Sequence, residues 1–147
     1  MKFNKKTLYF YLFYAGLTPY FITSFLFVID LNSFPILGSL EKALSIYNII
    51  ILSFLAGSHW GKHLNLENQW SFYLPLTSTG IALFIGFSYL LLPFRLFLLT
   101  FFIGLTLLLW IDKKLLKEDI ITQNYFKTRF IATALTFINL VIIAFFS

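Results

Sequence analysis

His59 is the only ionisable side chain well inside a long apolar run, and the segment around it, residues 52–61, reads Leu-Ser-Phe-Leu-Ala-Gly-Ser-His-Trp-Gly. An imidazole, with an ordinary pKa of about 6.5, suits proton relay or ligand binding. An ionisable group within an apolar span is costly and faces protein or a water-filled cavity. The plainer alternative is a neutral histidine hydrogen-bonded between helices. Ser58 and Trp60 flank it, and Thr77 and Ser78 fall at a similar depth on the next, antiparallel segment. With Arg129 these residues form a candidate ligand or proton site, for which a quinone, a haem or a lipid head group is a plausible occupant. No cofactor is specified by the sequence. Bis-histidine haem ligation is not expected, because both axial ligands cannot come from one face of one helix.

His59, His63 and Glu67 recur every four residues, the spacing of a metal site on one helical face. This is a weak alternative to the expectation of no metal. Asn65 and Asn68 argue that the helix ends before Glu67. Ser53, Gly57 and Gly61 also recur every four residues, and such small-residue pairs let a second helix approach closely. Their expected role is helix packing. Asp112 and Arg129 are expected to lie at one membrane level and to form an ion pair. Such a pair contributes little if exposed and more at a subunit contact. Thr133, Thr136 and Asn139 extend a polar stripe beyond Arg129.

These residues must be positioned by membrane-spanning helices. Of 147 residues 59% are hydrophobic and 12% charged, against about 25% charged in soluble domains. A soluble core of this size could not hide that much apolar surface. The absence of cysteine excludes disulfides, thiolate metal sites and cysteine nucleophiles. Apolar runs at about 7–29, 43–61, 70–92, 94–111 and 129–146 predict an all-α, polytopic bundle of about five transmembrane helices forming a single domain over 1–147. Each run is on the order of 20 residues, the length that crosses about 30 Å of hydrocarbon. The first run lacks a clear cleavage site and reads as an uncleaved helix kinked near Pro19. Residues 30–42 and 112–127 read as loops, the first with Asn32, Ser33, Pro35, Gly38 and Ser39 as turn formers.

The formal net charge of +5 flanks the apolar runs, which excludes a nucleic-acid groove. With the N-terminus cytoplasmic, the inner loops hold Lys2, Lys5, Lys6, Lys62, Lys113, Lys114, Lys117, Lys127 and Arg129, and the outer loops only Lys42 and Arg95. That bias sets the expected orientation, and Trp60, Trp70 and Trp110 fall at the same inner level. No internal repeat, nucleophile–base set, phosphate loop or carboxylate pair is visible.

The segment 47–61, Tyr-Asn-Ile-Ile-Ile-Leu-Ser-Phe-Leu-Ala-Gly-Ser-His-Trp-Gly, resembles the signature of a domain-of-unknown-function family that includes small bacterial inner-membrane proteins and mitochondrial transmembrane protein sixty-nine. Gly57, His59, Trp60 and Gly61 match its Gly-x-His-Trp-Gly ending. Residues 16–19, Gly-Leu-Thr-Pro, are similar to its Gly-Leu-x-Pro, and Asp112, Tyr125, Arg129 and Thr133 also fit its pattern. Ala56 stands where a second glycine is common, and His63 is outside the pattern. The resemblance implies location in a bacterial inner membrane and multi-pass topology, but no activity. The expected function is that of an accessory subunit or assembly factor of a membrane complex, possessing no enzymatic machinery, with other membrane subunits or a second copy as partners. The alternative is a small-molecule binder or transporter with its site at His59, and a membrane-embedded enzyme is a third reading.

Overall fold

A computed structural model describes residues 5–31, 33–34 and 38–147; Lys2, Asn32 and Pro35 lie outside the described residues. The elements are α1 (Lys5–Ala15), α2 (Thr18–Val28), α3 (Leu40–His63), α4 (Trp70–Leu91), α5 (Phe94–Lys117) and α6 (Gln123–Phe146). The only strands among the described residues, Ser33–Phe34 and Gly38–Ser39, form a two-residue antiparallel ladder. Gly38 closes it at φ +71, a conformation that favours glycine. Five helical stretches are long and apolar enough to cross a membrane: Phe10–Val28, Leu40–His63, Trp70–Leu91, Phe94–Lys117 and Gln123–Phe146. The fold is an all-α bundle of membrane-spanning helices.

Three helices continue past their apolar runs, because capping rather than hydropathy ends them. Asp112 and Arg129 therefore lie inside α5 and α6, and the connection between these helices shrinks to a few residues. At the end of α5, Asp119 N–H donates to the Leu116 carbonyl (3.1 Å) and Ile120 N–H to the Leu115 carbonyl (2.9 Å). That pair of bonds is a Schellman motif, whose left-handed position is held by Asp119 at φ 56. Asp30, at φ 60, does the same for α2, with Asp30 N–H donating to Phe27 and Leu31 N–H to Leu26, both at 3.0 Å. α6 then starts at Thr122, whose hydroxyl accepts from Tyr125 N–H.

The first span is not one continuous α-helix kinked at Pro19. It breaks at Gly16–Leu17, and Pro19 sits in the first turn of α2. There its missing N–H costs nothing, since the first turn of a helix has no internal acceptor for it.

The chain divides into two compact units, Met1–Leu40 with Leu109–Ser147, and Glu41–Leu108. In the first, α2 and α1 pack against α6, around Tyr20, Phe27, Ala132, Leu140 and Ile143. In the second, α3, α4 and the first part of α5 supply a core of Leu44, Leu52, Leu74, Ile85, Phe97 and Phe101. Leu52 lies over Gly104, where an added Cβ would come within 2.5 Å of its Cδ2.

Candidate functional site

Within the Glu41–Leu108 unit, α3 carries the buried polar residues Ser45, Asn48 and His59, and α4 carries Ser78 and Ser88. Asn48 and His59 are eleven residues apart, which at about 100° per residue returns to the same face about 16 Å further along the axis. Both are 0% exposed. Ser45 is also buried and gives its proton to the Glu41 carbonyl (2.7 Å). Trp60, the next residue after His59, is 47% exposed. Ser58 is half-buried, and its hydroxyl donates to the Leu55 carbonyl (2.7 Å).

On α4, Thr77 donates to the Tyr73 carbonyl (2.8 Å) and buried Ser78 to that of Pro75 (3.1 Å). Both hydroxyl protons stay within their own helix, beside the proline that interrupts the backbone ladder. Ser53 is half-buried, whereas Gly57 and Gly61 are exposed, and among the described residues no atom lies within 4 Å of where a Cβ would stand at either glycine.

The end of α3 is closed by its own basic side chains. Lys62 Nζ donates to the Ser58 carbonyl at 3.4 Å. His63 Nδ1 donates to the Trp60 carbonyl, and its ring meets the Trp60 ring edge-on at 5.5 Å. Glu67 lies exposed beyond the end of the helix. Among the described residues no three His, Asp or Glu side chains gather as metal ligands would.

Arg129 belongs to the other unit. Its Nε donates to Asp112 Oδ2 at 2.9 Å, with the two side chains 2% and 0% exposed. The weak contribution of a solvent-exposed pair therefore does not apply. In a buried pair, each charge relies on the other for what water would have supplied. The Arg129 guanidinium also lies 6.0 Å from the Phe13 ring, and Phe13 meets Tyr125 edge-on at 6.1 Å. Further along α6, Thr136 and Asn139 are buried. Asn139 Oδ1 accepts from Ser24 Oγ across to α2 (2.7 Å), and its Nδ2 donates to the Leu135 carbonyl (2.9 Å). Thr133 is half-buried.

Asn48, Ser24, Ser45 and Ser88 are also buried and lie outside the site that the sequence suggests. Asn48 carried a legible signal, as the only carboxamide in the apolar run 43–61. Ser24 carried none, since serine is common in spanning helices and its partner is 115 residues away.

Five membrane-length helices with polar groups turned inward define a multi-pass α-helical membrane protein. Its family is the one described as "Protein of unknown function (DUF3429)", whose profile matches residues 5–145, and the chain belongs to it. No curated protein and no solved structure matches the chain.

Proposed function

We propose that the protein is an accessory subunit or assembly factor of a membrane complex, in a bacterial inner membrane with its N-terminus cytoplasmic, and not an enzyme. The observation that carries this reading is the open face of α3 at Gly57 and Gly61. Among the described residues no atom lies within 4 Å of where a Cβ would stand at either glycine, and exposed Ile50, Phe54 and Trp60 lie on the same helix. A face of that kind lets another helix come to backbone distance. The resemblance of segment 47–61 to the family of mitochondrial transmembrane protein sixty-nine supports an energy-transducing membrane as the setting. The lysine distribution supports the orientation.

The test is co-purification of the tagged chain in gentle detergent, followed by mass spectrometry, for the parent and for Gly57→Leu with Gly61→Leu. Among the described residues nothing lies within 4 Å of a Cβ at either position, so the pair should leave folding intact and abolish a stoichiometric partner. A parent chain that always elutes alone would sink the proposal.

A second reading is favoured by one observation, the complete burial of His59 on the face that also carries Asn48. In this reading a quinone, haem or lipid head group binds beside His59, with Ser58, Trp60, Thr77 and Ser78 nearby in sequence or on α4. An absorption spectrum and lipid extract of the same eluate test it. A His59→Ala variant with unchanged folding and ligand content would remove its basis.

A further inference from the structure

The end of α5 has two faces of opposite character. Ile111, Asp112 and Leu115 are buried, while Trp110, Lys113, Lys114 and Lys117 are exposed. The exposed four are spaced i, i+3, i+4 and i+7, so they line one side of the helix over about 10 Å of its axis. The Lys114 ammonium stands over the Trp110 ring, 3.6 Å from its centroid. The indole is the side chain that settles at head-group depth, and the lysines follow it outward from the apolar part of the span.

The charge balance of this end is set by burial. Asp112 and Arg129 neutralise each other out of reach of solvent. What the surface presents is Lys113, Lys114, Lys117 and, on the first turns of α6, Lys127, against Glu118 and Asp119, all exposed. The surplus is cationic.

From this juxtaposition we infer that the Trp110–Lys117 face of α5, with Lys127, is a docking surface for anionic phospholipid head groups. The phosphate meets the lysines while the acyl chains lie against Trp110. Lysines in the last turn also favour the helix through its dipole, but that role would not select one lipid over another. The inference does not depend on an accessory-subunit role or on orientation, because a symmetric bilayer presents the same lipids to both ends.

The test uses the full chain in bilayers of equal phosphatidylglycerol and phosphatidylcholine, extracted gently, with the retained lipids quantified. Each lysine near an anionic surface multiplies local preference by about five. The parent should therefore retain phosphatidylglycerol in about fivefold excess or more over bulk. Lys113→Gln with Lys114→Gln and Lys117→Gln should bring the ratio close to bulk, and the corresponding arginine set should restore it. Lys42→Gln, at the start of α3, should leave it unchanged. Should the glutamine set fold poorly, raising the salt tests the parent directly, since screening must erase the excess. A parent ratio at bulk, or an excess that survives both the glutamine set and high salt, would overturn the inference. So would displacement of the lipid by inorganic phosphate beyond what sodium chloride achieves at equal ionic strength, which would mark a site for the free ion.

Discussion

The two units display two means of holding helices together. In the unit formed by Met1–Leu40 and Leu109–Ser147, directional bonds cross between helices: Arg129 to Asp112 from α6 to α5, and Ser24 to Asn139 from α2 to α6. In the Glu41–Leu108 unit, close fit is on view as well. Leu52 fills the space over Gly104, and the rings of Tyr89 and Phe97 meet edge-on at 5.7 Å. Lipid removes the hydrophobic drive for helices to associate, which leaves close fit and interhelical bonding. Interhelical bonding is seen in the first unit and close fit in the second. The first kind should fail when a partner is deleted, the second when volume changes.

The sharpest test of this contrast is Asp112→Ala, which leaves the buried Arg129 guanidinium without its counter-charge. Breaking one side of a buried pair costs about 3–5 kcal/mol, so resistance to denaturing detergent should collapse. Replacing both residues, Asp112→Leu with Arg129→Met, should recover most of that loss. A single variant as stable as the parent would break the comparison at its strongest point.

Next in size is Gly104→Ala in the other unit. Its new Cβ would meet Leu52, which is 0% exposed and has little room to yield. Overpacking of this kind costs about 1–3 kcal/mol, and in a combined variant Leu52→Val should offset part of it. Strict additivity of the two changes would show that the volumes do not interact. The smallest effect expected is from Ser24→Ala. Interhelical side-chain bonds in membranes average about 0.6 kcal/mol and reach about 1.7. Thermal unfolding in detergent should show a shift of that order, absent when Asn139→Leu is already in place.

Much of this organisation is legible in the amino-acid sequence. Five apolar runs gave the spans and the all-α class, since lipid leaves the backbone few other solutions. The runs did not give the helix ends. Asp112 read as a loop residue because lysines follow it, yet α5 continues to Lys117 and stops where Asp119 takes up the left-handed turn. Hydropathy reports where lipid ends, whereas the helix ends where its carbonyls find other donors. The pairing of Asp112 with Arg129 could be guessed from depth; its burial could not, because that depends on which faces of α5 and α6 turn inward. Around His59 the sequence indicates a polar group in an apolar span, and the helix turns it inward together with Asn48, the one carboxamide of that run. A proline within an apolar run suggests a kink at its own position, whereas the helix breaks before it, at Gly16–Leu17. Here the proline opens the next helix instead.

Unlike Ser24, whose hydroxyl reaches across to Asn139, eight hydroxyls along the spans turn to their own helix. Thr23, Ser45, Ser58, Thr77, Ser78, Ser88, Thr128 and Thr136 each donate to a carbonyl three or four residues earlier. A hydroxyl has one proton, and once it is turned along the axis only oxygen lone pairs point sideways. To a neighbouring group such a side chain behaves as an ether rather than an alcohol. These positions therefore solvate N–H groups and cations well and offer nothing to a bare carboxylate or phosphate. A guest lodged against them would be selected for the donors it brings.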